Sequence, residues 1–150
     1  MTILSDAQVA AIVRGVLRLG RRLRAERPAD SVSLSALAIL STLYNRGPMA
    51  AARLAEIERL QPQSLTRLIR DLEEKRMIVR QADPGDRRTL VIALTDTGRQ
   101  AYAYDISARH AWLSQAMAES LTGDEQALLL LASEVMAKLA RQEDRTPDPN

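Results

Sequence analysis

The stretch QPQSLTRLIRDLEEKRMIVRQADPGDRRTLVIALT, residues 61–95, contains two structural periods in succession. In its first part, apolar residues recur three and four positions apart, the spacing of a helix with one buried face: Leu65, Leu68, Ile69 and Leu72. In its second part, two short apolar runs, residues 77–79 and 90–94, flank a charged and turn-prone segment, residues 83–88. That arrangement predicts a hairpin whose loop carries arginines. We therefore expect a helix followed by a basic hairpin.

The composition excludes several classes of site. The 150 residues are 46% hydrophobic and 27% charged, as in ordinary globular proteins. There is no cysteine, so disulfides, thiolate metal sites and cysteine redox switches are excluded. The single histidine, His110, cannot form a multi-histidine site, and we expect no metal and no cofactor.

The N-terminus and the apolar runs of the sequence indicate where in the cell the protein is expected. No apolar run approaches the roughly 20 residues of a membrane helix. The N-terminal residues lack the basic region and cleavage site of a signal peptide. We therefore expect a cytoplasmic protein without membrane contact.

Charge is distributed unevenly along the chain, although the net charge is only +2. Residues 1–45 carry six arginines against three acidic residues, and residues 46–95 carry ten basic against seven acidic residues. Residues 96–150 carry five basic against nine acidic residues. This asymmetry suits a DNA-facing part followed by a part kept away from DNA.

Three helices are predicted before the opening stretch. Ser5 and Gln8 have the spacing of a capping box, and the helix they open ends before Arg27 and Pro28. Ser33 caps a second helix with residues at core spacing: Leu37, Leu40, Ser41 and Tyr44. A short Ala-rich helix follows, with Leu54 and Ile57 pointing inward, and residues 59–61 form a turn before Pro62.

Two helices are predicted after the hairpin. Thr95 caps a long helix of about 20 residues, whose spine is Ala101, Tyr102, Ile106, Arg109, Leu113 and Met117. Residues 122–125 form a second capping box that opens the last helix. Its four consecutive leucines, residues 128–131, and the wide apolar surface of the first helix exceed what one neighbour covers. Both helices are therefore predicted to be shared between subunits.

The order of elements predicts a fold that is mainly α with a small β-hairpin wing, a winged helix-turn-helix with N- and C-terminal dimerisation helices. Residues 1–150 form one such domain. The predicted DNA-binding lobe is residues 31–95, the dimerisation helices are residues 5–27 and 96–142, and residues 143–150 form a disordered tail.

The helix from Pro62 turns polar residues away from its buried face: Gln63, Ser64, Thr66, Arg67 and Arg70. These side-chain types pair with base edges and phosphates, and they occupy the part of a recognition helix that enters the major groove. An ordinary solvated helix face is the alternative interpretation. The acidic end of the helix, residues 71–74, would be repelled by phosphate, so the contacts must lie before it.

Arg87 and Arg88 lie at the predicted hairpin tip, from which guanidinium groups can enter a narrow minor groove. Asp86 is expected to hold a neighbouring guanidinium through charge-assisted hydrogen bonds. The alternative is a charged, solvated edge hairpin. The occurrence of helix, turn, helix and basic hairpin in this order favours the DNA-binding interpretation.

The run DPGDRRTLVIALTDTG, residues 83–98, resembles the signature of the multiple-antibiotic-resistance regulator (MarR) family, Asp-x-Arg, aliphatic residues, then Leu-Thr-x-x-Gly. Residues 53–56, 64–68 and 72–73 are similar to that family's helix-turn-helix segments, and the helix order matches over about residues 5 to 142. The resemblance implies a triangular homodimer. It also implies that Arg88 enters the minor groove, that Asp86 braces it, and that small aromatic ligands loosen DNA binding.

Two positions depart from the family pattern. Arg76 stands where members usually have glycine; a left-handed arginine costs roughly 1–2 kcal/mol, so a different helix end is one expected outcome. The oxidation-sensing branch of the family uses an N-terminal cysteine, and that mode of sensing is excluded here.

A ligand pocket has few candidate residues. The aromatic and imidazole groups are limited to Tyr44, Tyr102, Tyr104, His110 and Trp112. Of these, Tyr44, Tyr102, His110 and Trp112 are the predicted lining of a pocket for a small aromatic molecule. Positions in the core or in a dimer interface are the alternative for each of them.

The leading prediction is therefore a homodimeric transcription regulator, a repressor that binds double-stranded DNA at a pseudo-palindromic operator and is released by a small ligand. The alternative is a winged-helix module that binds a protein and no specific DNA. The chain has no Gly-rich phosphate loop and no Gly-x-Ser-x-Gly sequence, and its acidic pairs have the positions of helix surface. We expect no enzymatic activity.

Overall fold

The computed structural model describes residues 4–140. In that range six helices and two strands follow one another as α1 (Asp6–Ala25), α2 (Leu34–Arg46), α3 (Ala51–Glu58), α4 (Pro62–Glu74), β1 (Ile78–Ala82), β2 (Leu90–Leu94), α5 (Asp96–Ser120) and α6 (Gly123–Ala140). This order confirms the predicted helical fold with one hairpin. Residues 141–142 and the tail predicted to be disordered lie outside the described range. Two compact units divide within α5, between His110 and Ala111.

The predicted helix starts are confirmed at the atomic level. The Ser5 amide donates to Gln8 Oε1 at 2.8 Å, and the Gln8 amide donates back to Ser5 Oγ. Ser33 Oγ accepts the amide of Ala36 at 3.2 Å at the start of α2. These side chains satisfy amides that lack partners within the helix.

The core of the first unit lies between α2, α3, α4 and the hairpin. Six of the predicted core residues are buried: Leu37, Leu40, Leu54, Leu65, Ile69 and Leu72. Three others, Ser41, Ile57 and Leu68, are half-buried. Ile39 and Leu43 are also buried, which widens the inner face of α2 beyond the predicted stripe. Tyr44, predicted at core spacing, is 51% exposed because the adjacent Leu43 takes the inward position.

The hairpin pairs antiparallel, from Ile78 opposite Leu94 to Ala82 opposite Leu90. A third segment joins its second strand, since Met49 and Ile92 exchange backbone hydrogen bonds of 3.2 and 2.8 Å. This bridge was not predicted. It gives β2 a partner on each side, and three of its five residues are buried against one of five in β1.

The residue that ends the turn after α4, Arg76, has the left-handed conformation. Arg76 has φ 58°, its amide donates to the Glu73 carbonyl at 2.8 Å, and the Met77 amide donates to the Leu72 carbonyl at 2.9 Å. These two bonds form the Schellman motif that usually has glycine at this position. The expected change of helix end does not occur, and the arginine adopts the conformation at a cost of about 1–2 kcal/mol.

The start of α5 is joined to this turn. Thr95 Oγ1 accepts the Gly98 amide at 3.1 Å as the predicted cap and donates to the Arg76 carbonyl at 2.6 Å. A Cβ on Gly98 would lie 2.1 Å from the Met77 carbonyl oxygen. Only glycine permits this approach of helix and turn, which is a physical reason for the Leu-Thr-x-x-Gly pattern.

Helix α1 buries none of its residues within this chain. Its large apolar side chains are about half exposed: Val9, Ile12, Val13, Val16 and Leu17. An apolar face of this kind is unfavourable in water, which supports the prediction that a second chain covers it.

The second unit contains the end of α5 and the whole of α6. Thr122 and Glu125 form the predicted capping box, and the hydrogen bonds from Thr122 hold the pKa of the Glu125 carboxyl below its usual value. Helix α6 buries no residue, and its large apolar side chains are exposed: Leu128, Leu130, Leu131, Val135, Met136 and Leu139. None of the helices in residues 4–140 is long and apolar enough to cross a membrane.

Candidate DNA-binding site

A tight turn sets the recognition helix against α3. Arg59 ends α3 in the left-handed region at φ 51°, and the Leu60 amide donates to the Ala55 carbonyl at 3.0 Å. Pro62 then opens α4 at its first position, where its fixed φ suits a helix. Residues 59–61 thus form the predicted turn of a helix-turn-helix.

The two faces of α4 have opposite chemistry. Leu65, Ile69 and Leu72 are buried in the core. All five predicted contact residues are exposed on the other side: Gln63, Ser64, Thr66, Arg67 and Arg70. Four of them, with Pro62, line one open concavity of about 390 Å³. Donors and acceptors suited to base edges are therefore gathered on one exposed strip of helix.

The N-terminal end of α4 has no side-chain cap. Gln61, at the capping position, makes no side-chain hydrogen bond to the first turn of the helix. The Thr66 hydroxyl, one turn further along, donates to the Pro62 carbonyl at 2.8 Å. An uncapped helix N-terminus carries partial positive charge and attracts phosphate.

Ion pairs reduce the negative charge at the other end of α4. Glu73 Oε1 lies 3.0 Å from Arg80 Nε on β1, in a partly exposed pair. Glu74 Oε1 lies 3.9 Å from Arg70 Nε, with both side chains about 70% exposed. The repulsion expected from residues 71–74 is therefore partly offset by neighbouring guanidinium groups.

Two aspartates shape the wing tip. Asp83 Oδ1 accepts the amides of Gly85 at 2.6 Å and Asp86 at 3.2 Å. The Asp83 amide donates to the Thr89 carbonyl at 2.8 Å, which closes the loop across its base. Such side-chain turns hold a loop in a defined conformation without a buried core.

The role predicted for Asp86 needs a correction. Its Oδ1 accepts the Arg88 backbone amide at 3.0 Å, and its Oδ2 accepts the Thr89 hydroxyl at 3.1 Å. The carboxylate therefore holds the backbone of Arg88, and within residues 4–140 no ion pair to the Arg87 or Arg88 guanidinium is found. Both arginine side chains remain exposed. A backbone amide two residues ahead is the nearer donor in a turn of this kind.

The residues predicted for a ligand pocket are only partly brought together. The Tyr44 and Tyr102 rings are in contact, with centroids 4.8 Å apart and planes tilted by 37°, and Ser41 Oγ lies 3.5 Å from the Tyr102 hydroxyl. His110 is exposed at the end of the first unit. Trp112 is half-buried and belongs to the second unit.

A group of polar residues around α5 was not predicted from the sequence. Asp105 is fully buried and paired with Arg27 and Arg109. Next to it, Tyr104 donates to Asp30 at 3.1 Å, and that carboxylate raises the pKa of the tyrosine hydroxyl. A signal was present, because Asp105 lies on the same stripe as Tyr102 and Arg109, three and four residues away.

Comparisons with known proteins agree with this geometry. Residues 32–90 match the MarR family. An HTH-type transcriptional regulator of Mycobacterium bovis is 35% identical over 136 residues, which are 90% of this chain and 94% of that protein. A transcriptional regulator protein from Pseudomonas aeruginosa is 35% identical with a TM-score of 0.77, covering 95% of this chain and 100% of the other.

A more distant structure shares the fold. CouR from Rhodococcus jostii, bound to p-coumaroyl-CoA, is 19% identical with a TM-score of 0.65, covering 96% of this chain and 99% of the other. The 35% identity of the Mycobacterium bovis regulator extends over nearly the whole chain. The sequence signature at the wing, the helix-turn-helix geometry and these matches lead to one conclusion. This chain belongs to the MarR family of helix-turn-helix transcriptional regulators.

Proposed function

We propose that this MarR-family regulator works as a homodimer that represses transcription from a pseudo-palindromic operator. The observation that carries the proposal is the exposed polar strip on α4 beside a wing whose loop is held by its own aspartates. A dimer lying across two successive major grooves would exclude other proteins from that DNA, and repression is the simplest result. A transcriptional regulator acts on the chromosome, and the proposed location is the cytoplasm.

The proposed contacts divide into two grooves. The five polar residues of α4 would meet base edges and phosphates in the major groove: Gln63, Ser64, Thr66, Arg67 and Arg70. Arg87 and Arg88 would enter the minor groove, where the negative potential of a narrow groove attracts guanidinium groups. Asp86 would contribute through the Arg88 backbone amide that it accepts, and not through direct DNA contact.

Homodimerisation is supported by the two helices that bury nothing within the chain, α1 and α6. Exposed leucine, valine and isoleucine side chains on both helices offer an apolar interface of the kind that stable dimers use. The proposed division of labour is a DNA-binding lobe of residues 31–95 and dimerisation helices from residues 5–27 and 96–142.

A small aromatic ligand is the proposed releasing signal. The Tyr44 and Tyr102 rings, in tilted contact between α2 and α5, supply an aromatic surface on which a second aromatic molecule can pack. The fold shared with CouR, which binds p-coumaroyl-CoA, makes phenolic acids and their thioesters suitable first compounds to screen. His110 and Trp112 stay in the proposal as further candidate contacts.

Selection of bound DNA from a random pool, followed by mobility shift, tests the proposed function. We expect an enriched sequence with two half-sites about one helical turn apart and an affinity that falls steeply with salt. Absence of enrichment at low salt would refute the proposal and favour the winged-helix module that binds protein. Reporter expression from the selected operator, with and without the regulator, distinguishes repression from activation.

The wing is tested by Arg88→Ala. The variant is expected to bind the selected operator more weakly by about 1–3 kcal/mol, because it loses a groove contact while the loop backbone is kept by Asp86. Lys138→Ala removes the same charge from α6 and is the matched control. An unchanged operator affinity in Arg88→Ala would exclude the wing from DNA binding.

A further inference from the structure

Asp105 is the one charged side chain that is fully buried among residues 4–140. It lies in the first unit, on α5, where Tyr102 and Arg109 of the same stripe are only half-buried. A carboxylate taken out of water is unfavourable unless opposite charges and hydrogen bonds replace the lost solvation. The surroundings of Asp105 therefore have to supply specific partners.

Three side chains supply them. Arg27 Nε donates to Asp105 Oδ2 at 2.7 Å, and the Ser31 hydroxyl donates to the same oxygen. Arg109, one turn further along α5, donates through its terminal nitrogen to Oδ1. Both carboxylate oxygens are thus engaged. We call Arg27, Ser31, Asp105 and Arg109 the Asp105 cluster.

The Asp105 cluster joins two segments that are distant in sequence, the connection between α1 and α2 and helix α5. Arg27 follows the end of α1, Ser31 lies in the connection to α2, and Asp105 belongs to α5. Arg27 reaches further into the connection, where its NH2 group donates to Ser31 Oγ at 3.2 Å and to the Val32 carbonyl at 2.5 Å. The first residues of the proposed DNA-binding lobe are thereby held against two proposed dimerisation helices.

The chemistry of the Asp105 cluster favours a fixed geometry. Buried ion pairs add little net stability compared with apolar side chains of similar volume. Charge-assisted hydrogen bonds from a planar guanidinium, however, are directional, and few orientations satisfy them. An apolar contact at the same place would allow small sliding movements of one segment over the other.

We propose that the Asp105 cluster is a positioning element that sets the spacing of the two recognition helices in the dimer, and so the distance between the half-sites it accepts. The inference rests on the proposed dimeric DNA-binding function. Each inserted base pair moves one half-site by about 3.4 Å and turns it around the DNA axis, because one turn of about 34 Å contains about 10 base pairs. A dimer whose lobes are held rigidly discriminates against such changes.

The experiment measures affinity for the selected operator and for operators with one base pair added or removed between the half-sites. The wild-type protein is expected to prefer one spacing. In Asp105→Asn, which keeps the size of the side chain and removes its charge, the ratio of affinities between optimal and altered spacing is expected to fall about tenfold. Affinity for an isolated half-site should stay unchanged.

A second variant separates positioning from stability. The triple substitution Arg27→Met, Asp105→Leu and Arg109→Met replaces the ions by apolar side chains, a change that often leaves stability intact or raises it. It should remain a folded dimer by circular dichroism and sedimentation and still lose the spacing preference. Failure of both variants to fold would assign the Asp105 cluster to stability and overturn the proposal.

Tyr104→Phe is the matched control. It removes an exposed hydrogen bond, to Asp30, between the same two segments. We expect Tyr104→Phe to keep the wild-type spacing preference. A loss of that preference as large as in Asp105→Asn would overturn the proposal. A sharp preference retained by the folded Asp105 variants would overturn it as well. Wild-type protein that selects no DNA would instead refute the proposed function itself.

Discussion

Helix α2 differs from helices α1 and α6 in how far its apolar residues are buried within the chain. Helix α2 buries five residues inside the chain, whereas α1 and α6 bury none although both carry several large apolar side chains. The part of the chain around α2 thus completes its own core. The terminal helices do not, and in the proposed dimer a second chain covers their apolar faces. Stability of the lobe should therefore be a property of one chain, and stability of the terminal helices a property of the dimer.

The largest change in the free energy of unfolding is expected for a substitution in the core of the proposed DNA-binding lobe. Leu40 is fully buried, and Leu40→Ala should lower the free energy of unfolding by about 4 kcal/mol at every protein concentration, because it leaves a cavity in the core. Urea unfolding monitored by circular dichroism measures it. Leu34→Ala, on the same helix but 51% exposed, should change stability by less than about 0.5 kcal/mol. Equal effects at the two positions would contradict the assignment of the core.

The next effect concerns the contact between α5 and the turn after α4. Gly98→Ala should destabilise the protein by about 3 kcal/mol, since its Cβ would meet the Met77 carbonyl oxygen at 2.1 Å. Gly15→Ala, on α1, adds a Cβ that meets nothing within 4 Å, and should stabilise that helix by about 0.5–1 kcal/mol. Thermal unfolding of both variants gives the comparison. A loss of similar size in both would exclude the close contact as the cause.

A smaller effect is expected on the apolar face of α6. Leu130 is 66% exposed within the chain, and Leu130→Ser should weaken the dimer by about 2 kcal/mol per subunit by removing apolar area from the interface. Sedimentation equilibrium over a range of concentrations measures the dissociation constant. Glu134→Ala on the same helix should leave it nearly unchanged. If Leu130→Ser also leaves it unchanged, this face of α6 is not the dimer interface.

The smallest expected effect is a gain in the stability of the protein. Arg76→Gly removes the strain of a left-handed arginine and should stabilise the protein by about 1 kcal/mol, after the greater freedom of glycine in the unfolded chain is subtracted. Chemical denaturation measures the shift. Lys75→Gly, at the preceding position with φ −79°, should destabilise and serves as the control. A loss of stability in Arg76→Gly would show that the arginine side chain makes a larger contribution than its backbone costs.

Local signals account for the features that the sequence predicted well. Ser5, Ser33, Thr95 and Thr122 each accept the amide three residues ahead, so short segments of sequence contain all the information needed to find these helix starts. The exposed strip of α4 follows from the same reasoning, because the period of Leu65, Ile69 and Leu72 determines which side chains face outward.

Tertiary contacts account for the features that could not be predicted from the sequence. Arg76 adopts a left-handed conformation where the turn is held by Thr95 and packed against Gly98, nineteen or more residues later. Asp105 is buried because Arg27 reaches it from a segment 78 residues away. For Asp86 the sequence predicted a bond to a neighbouring guanidinium, whereas its Oδ1 accepts the backbone amide of Arg88.

The Thr95 hydroxyl limits how α4 and α5 can move. One oxygen caps the start of α5 and, through its single proton, holds the carbonyl of the residue that ends the turn after α4. A swing of α5 relative to α4 would break the bond from Thr95 to the Arg76 carbonyl, whereas the bond from the Gly98 amide would move with α5. The part of α5 that belongs to the first unit, residues 96–110, begins directly at this bond. We therefore expect a tilt of this part of α5 to displace the turn that ends α4.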